Sequence, residues 1–254
     1  MSRPLILITN DDGYKAKGIE ELINMAKRIG DVIAVAPEVG QSGKSHAISL
    51  NNFVRMQDIR HEPGIDVYSV SGTPVDCVKM AMNKVLSRKP DLLLSGINHG
   101  SNATVNAFYS GTMGAAIEGA FYDIPSVGLS LCSYDADADF SVVVKHSEPF
   151  IRRLLEMDDN KGICLNVNYP AIAEADYKGM RICRQARGIW KEEFVENTDP
   201  YGRKYYWLTG NFVNHEPQST DTDEWALSNG YASVVPMTLD STDKNLLHKF
   251  DNLL

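Results

Sequence analysis

The sequence predicts an α/β protein, a mostly parallel sheet with helices on both faces, extended at its C-terminal end by β-hairpins. Three observations predict it. Short apolar runs alternate with helix-period segments through residues 1–160, the pattern of repeated βαβ units. Some of these runs are apolar at nearly every position, as in strands buried on both faces. Over residues 161–254 the rhythm changes to strands and aromatic-rich segments broken by turn residues. The chain is read as one domain, a core over 1–160 followed by C-terminal strands, a hairpin arm and a terminal helix.

The first predicted strand is 5–9, Leu-Ile-Leu-Ile-Thr. Ile19, Leu22, Ile23, Ala26 and Ile29 recur at helical spacing over 18–29. Strand 31–36 is closed by Pro37, and strand 66–70 by Ser71-Gly72. Residues 74–86 read as a helix with Pro74 near its start, where a missing N–H costs little. Residues 92–94 form a buried strand, 111–121 a helix of small residues, 126–131 another strand, and 140–157 an amphipathic helix. Strands are expected at 163–167 and 180–184. The aromatic stretch from Trp190 to Trp207, broken by Asp199-Pro200 and Gly202, is expected to form hairpins that pack across a subunit interface, where aromatic residues are enriched.

Charge and cysteines narrow the partners. A formal net charge of −8 opposes binding to long nucleic acid, which needs clustered Lys and Arg. A small phosphorylated substrate is still compatible, because a bound divalent cation inverts the local sign. Cys77, Cys132, Cys164 and Cys183 are far apart in the chain and form no CxxC pair, so a zinc knuckle is not indicated and buried thiols in a reducing compartment are. No apolar stretch of signal-peptide type precedes the first strand, and no run approaches membrane-spanning length. The expectation is a cytoplasmic protein with no membrane partner.

In an open parallel sheet, ligands bind beyond the carboxyl ends of the strands. The polar clusters fall at those ends: Thr9-Asn10-Asp11-Asp12-Gly13, then Gln41-Ser42-Gly43, then Ser95 through Asn102, then Tyr109-Ser110-Gly111-Thr112 opening a helix. Adjacent carboxylates at Asp11 and Asp12 repel unless a cation sits with them. Hard oxygen ligands favour Mg²⁺, Mn²⁺ or Ca²⁺. Asp-Asp-Gly is also ordinary turn chemistry. Ser110, Gly111 and Thr112 have the form of a phosphate cradle at a helix start, and equally of a plain serine cap. His99 is a candidate general acid or a solvated loop residue.

Taken in order, these motifs resemble the SurE family of stationary-phase survival phosphatases, the 5'/3'-nucleotidases. The resemblance rests on Ile8 through Gly13, Ala36-Pro37 with Gln41-Ser42-Gly43, Gly72-Thr73-Pro74 with Asp76-Cys77-Val78, Ser95-Gly96-Ile97-Asn98, and Tyr109 through Thr112. Thr222-Asp223 and Gly230-Tyr231 match late elements of the family. Lys44, His99 and Ser101 depart from the residues common at those places. The resemblance implies a Rossmann-like core and a C-terminal extension that makes homodimers or homotetramers. It implies one divalent metal ion per subunit, Mg²⁺ or Mn²⁺, held by Asp11, Asp12, Ser42 and Asn98. The expected reaction is hydrolysis of nucleoside 5'- and 3'-monophosphates, with Asp11 and Asp12 catalytic and Asn10, Asn102, Ser110, Gly111 and Thr112 on the phosphate. Two alternatives stay open. One is an aspartyl-phosphate phosphatase, although such enzymes usually separate the two Asp by one residue. The other is a nucleotide-binding module without turnover.

Overall fold

A computed structural model describes residues 3–250. In chain order the strands are β1 (Leu5–Thr9), β2 (Asp31–Pro37), β3 (Met56–Glu62), β4 (Ile65–Val70), β5 (Leu92–His99), β6 (Ser126–Leu131), β7 (Cys164–Tyr169) and β8 (Met180–Ile182). Then come β9 (Gly188–Lys191), β10 (Phe194–Thr198), β11 (Lys204–Leu208), β12 (Asn211–Asn214) and β13 (Ala232–Met237). The helices are α1 (Lys17–Ala26), α2 (Pro74–Met80), α3 (Gly111–Phe121), α4 (Ser141–Glu156), α5 (Asp223–Ser228) and α6 (Leu247–Phe250).

One nine-stranded sheet runs β3-β4-β2-β1-β5-β6-β7-β13-β8. From β4 to β7 every neighbour is parallel. β3 and β13 each pair antiparallel with the strand beside them, β4 and β7. The order places a switch point between β1 and β5. From β1 the chain winds outward through β2 and β4, then returns to the other side of β1 for β5, β6 and β7. Loops leaving β1 and β5 therefore diverge, and a crevice opens beyond their carboxyl ends.

β1 shows why the interior is apolar on both faces. Ile6 and Ile8 point into the cluster formed with α1 and α4, and Leu7 into the cluster formed with α2 and α3. Burial of each contributes about 1.5–3 kcal/mol. On the first face Ile19, Leu22 and Ile23 of α1 meet Ile151 and Leu154 of α4. On the second, Val78 and Ala81 face Ala115. α2 starts with a capping box in which Thr73 Oγ1 accepts from Asp76 N–H at 3.1 Å and Asp76 Oδ2 accepts from Thr73 N–H at 2.9 Å.

Several expectations need correction. The helix over 74–86 is α-helical only to Met80 and continues as a wider π-type turn, Ala81–Val85. β5 is longer than expected, running to His99, with its register on β6 shifting between Ser95 and Asn98. β8 stops at Ile182. β3 and β13 were not anticipated as strands of the sheet. The C-terminal hairpins are present: β9 pairs with β12, and β10 with β11. All four cysteines are free, and no helix among the described residues is long and apolar enough to cross a membrane.

Candidate active site

The crevice at the switch point is a cleft of about 370 Å³. Of the nine residues expected on the metal or the phosphate, six line it: Asp11 and Asp12 after β1, Ser42 after β2, Asn98 at the end of β5, Asn102 just beyond, and Ser110 at the start of α3; His99, the candidate general acid, lines it too.

Asp11 is only 4% exposed. Its Oδ1 accepts from the Thr112 hydroxyl at 2.5 Å. Burial pushes its carboxyl up to about 6, against the Thr112 hydrogen bond and with help from the neighbouring Asp12 charge. Asp12 is more open. Burial raises its carboxyl too, and the His99 N–H, which donates to Oδ2 at 3.2 Å, opposes this. No lysine or arginine among the described residues acts on either group. Two carboxylates thus stand side by side, each oriented by one protein donor, with only the His99 side chain offsetting the charge of Asp12.

Neutral oxygens surround them. The Asn98 amide donates from Nδ2 to Gly100 O at 2.8 Å, which aims its Oδ1 away from that contact. The Asn102 amide donates to Ser130 Oγ at 2.9 Å. Its backbone is held by β7: Asn102 N–H donates to Asn168 Oδ1 and Asn166 Nδ2 donates to Asn102 O, both at 2.8 Å. Asn166 and Asn168 escaped the sequence reading. The available signal was two asparagines alternating in a strand otherwise apolar and buried.

Asn10, Gly111 and Thr112 do not line the cleft; they support it from behind. Asn10 spends its side chain on the β1 turn, donating to Gly13 O at 3.0 Å and accepting from Gly13 N–H at 3.2 Å. Thr112 holds Asp11. Gly111 lies so close that a Cβ there would sit 2.9 Å from Asp11 Cβ, so its lack of a side chain admits the carboxylate to the helix start. Ser110 caps α3, accepting from Met113 N–H at 3.0 Å. The cap and cleft readings therefore coexist in one residue.

The exposed loop carrying Ser42 is tied down just beyond it. Glu118 of α3 is buried and accepts from His46 Nε2 at 2.8 Å and Lys79 Nζ at 2.5 Å. Burial would raise its carboxyl, but these two partners hold it below the usual range. Ser45 N–H donates to Tyr109 O at 3.0 Å. Gly114 permits this approach, since a Cβ there would meet Ser45 O at 2.3 Å. His99 turns its Nδ1 to Asp135 O at 3.1 Å and packs edge-on against Phe140.

Four further lining residues, Asn106, Tyr109, Tyr134 and Trp190, were not read as site residues from the sequence. Trp190, at the start of the aromatic stretch, borders the cleft of its own chain.

Fold and site together define a doubly wound α/β protein with a paired-carboxylate cleft at its switch point. Residues 6–192 match the family described as Survival protein SurE. The chain belongs to the SurE family. It is 51% identical over 248 residues to a Cytophaga hutchinsonii protein named 5'-nucleotidase SurE, covering 97% of this chain and 95% of that one. It is 48% identical over 253 residues to the protein of the same name from Flavobacterium psychrophilum, covering 99% and 98%. The crystal structure of the SurE protein from Aquifex aeolicus superposes with a TM-score of 0.83 at 33% identity, covering 98% of this chain and 99% of that one.

Proposed function

We propose that this protein is a divalent-cation-dependent phosphomonoesterase that releases phosphate from nucleoside 5'-monophosphates, and from 3'-monophosphates as well. The observation that carries this reading is the Asp11–Asp12 pair, which has no lysine or arginine partner, shares its cleft with Asn98 and Ser42 and lies at the start of α3. Curated relatives nearly half or more identical over almost their full length bear the name 5'-nucleotidase.

The donor set fits a hard cation, Mg²⁺ or Mn²⁺. It offers two carboxylates and neutral oxygens. Asp11, Asp12, Asn98 and Ser42 would hold it. Bound there, the ion supplies charge neutralisation of phosphoryl oxygens and a lowered pKa for an attacking water. The protein's own groups do the rest. Thr112 and Gly111 fix Asp11 against the helix start. Asp12, the more open carboxylate, takes the proton of the attacking water. Asn102 and Ser110 orient the phosphoryl group, and the N-terminus of α3 favours its charge. Asp11, buried and hydrogen-bonded to Thr112, is poorly placed to attack phosphorus itself.

The test is phosphate release from AMP, 3'-AMP and simple monoesters with chelator, Mg²⁺ or Mn²⁺. Chelator is expected to abolish release and either ion to restore it. Release that persists in chelator would remove the cation from the reading. Saturable binding of AMP without release under any ion would leave a binding module.

The same proposal includes a cytoplasmic location, in keeping with the four free thiols, and assembly into a homodimer or homotetramer. β10 and β11 support the assembly. Every residue of this two-stranded ribbon is exposed, Phe194, Tyr206, Trp207 and Leu208 among them, and an isolated hairpin is at best marginally stable in water. Replacing residues 194–208 by a short Gly-Ser link is expected to lower the mass seen in light scattering. An unchanged mass would locate the subunit contact elsewhere.

A further inference from the structure

The cleft continues past the start of α3. Asn106, Tyr109 and Trp190 line it and also line an adjoining hollow of about 480 Å³, whose far wall includes Leu208. Tyr109 and Leu208 are 61% and 68% exposed, so apolar surface there stands open to water beside a site built for a charged group.

Trp190 is held firmly. Its Nε1–H donates to Asn106 Oδ1 at 2.8 Å, and its ring meets Phe212 edge-on with centroids 6.1 Å apart. Asn106 in turn donates from Nδ2 to Ser101 O at 3.2 Å. The indole N–H and the Asn106 amide are thus engaged within the chain. What the indole still offers a ligand is its π-face.

We infer that this hollow is the nucleobase subsite, in which the base stacks on Trp190 with Tyr109 as the adjoining wall. The inference rests on the proposed phosphatase reading for the nucleoside monophosphate itself. It adds how the nucleoside end is recognised. Stacking is tolerant of sequence because every base has a π-face. With the indole N–H, the Asn106 Oδ1 and one Asn106 N–H already engaged, stacking area ranks substrates ahead of base-edge pattern. Purine nucleotides bind better than pyrimidine nucleotides, and both better than a sugar phosphate with no base.

The experiment compares AMP, CMP and ribose 5-phosphate on the Mn²⁺-loaded protein and on W190A and W190F. It also follows tryptophan fluorescence as adenosine, which lacks phosphate, is added. The wild type is expected to rank AMP over CMP over ribose 5-phosphate in kcat/KM. In W190A the KM for AMP is expected to rise about tenfold more than that for ribose 5-phosphate, the scale of one base–aromatic stack. W190F keeps a ring and loses the N–H, and is expected to retain most of the AMP preference, which also guards against a folding defect in W190A. Adenosine is expected to quench the wild type and not W190F. Equal losses for AMP and ribose 5-phosphate, or no response to adenosine, would overturn the subsite. Adenosine quenching without hydrolysis of any monophosphate would uphold the subsite and remove the phosphatase reading instead.

Discussion

Asp11→Asn is expected to lose at least about a hundredfold in turnover, the scale of one preorganised electrostatic contact, and yet to be more stable than the wild type in chelator at neutral pH. The second half follows from burial. The Asp11 carboxyl rises from 3.8 to about 6 on folding, so between those values the unfolded chain has released its proton while the folded chain keeps it. Stability therefore falls as pH rises through that window and stays lower above it. Two pH units amount to about 3 kcal/mol. Asparagine has no proton to lose, so the melting-temperature gap between variant and wild type, measured in chelator, is expected to widen from pH 4 to pH 6 and then level off. Saturating Mn²⁺ should narrow the gap, since a ligand that binds only the folded wild type stabilises it by mass action. Wild-type turnover in the variant would remove Asp11 from the site. A gap that stays flat across the window would mean that the carboxyl is better solvated than its surroundings imply.

Asp223→Ala is expected to be the most damaging substitution outside the carboxylate pair. Asp223 is fully buried. Its Oδ2 accepts from Thr104 N–H at 2.8 Å, and its Oδ1 from Ala186 N–H at 2.9 Å and Glu224 N–H at 2.8 Å. Thr104 begins the 3₁₀ segment Thr104–Phe108, which carries Asn106 and leads to Tyr109, and Ala186 leads into β9 and Trp190. One carboxylate therefore clips together the two segments that supply those cleft walls. Each buried donor left unpaired costs about 1–3 kcal/mol, so a loss of about 3 kcal/mol or more is expected in denaturant unfolding. Asp223→Asn is expected to rescue little, because its NH₂ would face a backbone donor. In folded protein at low temperature, KM for AMP is expected to rise more than kcat falls. Wild-type stability in Asp223→Ala would show that these segments hold their places without the clip.

The helix over 111–121 and the strand over 126–131 have the same bounds in sequence and structure. Both carry strong local signals, a capped run of small residues and a continuous apolar run. β3 does not. Its Met-Gln-Asp-Ile-Arg-His-Glu sequence lies on an exposed sheet edge with neither face buried, so no period of two develops. β13 is apolar enough, but its place between β7 and β8 depends on pairing with residues some 50 to 70 positions earlier, which no local pattern specifies. The site divides in the same way. Asp11, Asp12, Ser42, Asn98, Asn102 and Ser110 sit at strand ends or a helix start, where a general rule of parallel sheets points. Tyr134 and Trp190 come from a connecting segment and a hairpin, and tertiary packing alone brings them to the cleft. The small residues at Gly111 and Thr112 were legible as something special. Their role became visible only once Asp11 was seen against them.

The location of β13 also orders events during synthesis. It is the last of the described strands in chain order, yet it lies inside the sheet with β7 on one side and β8 on the other. Until it emerges from the ribosome, β7 presents an open, apolar edge and β8 has no neighbour to dock on. Asp223, which clips two cleft segments, lies only nine residues ahead of β13. A nascent chain can thus assemble the carboxylate end of the cleft early, while the wall that holds Trp190 waits for the segment that carries Asp223. A chain released before β13 would leave that edge free to pair with other chains, so translational arrest late in the message is the step at which this fold is most exposed to aggregation.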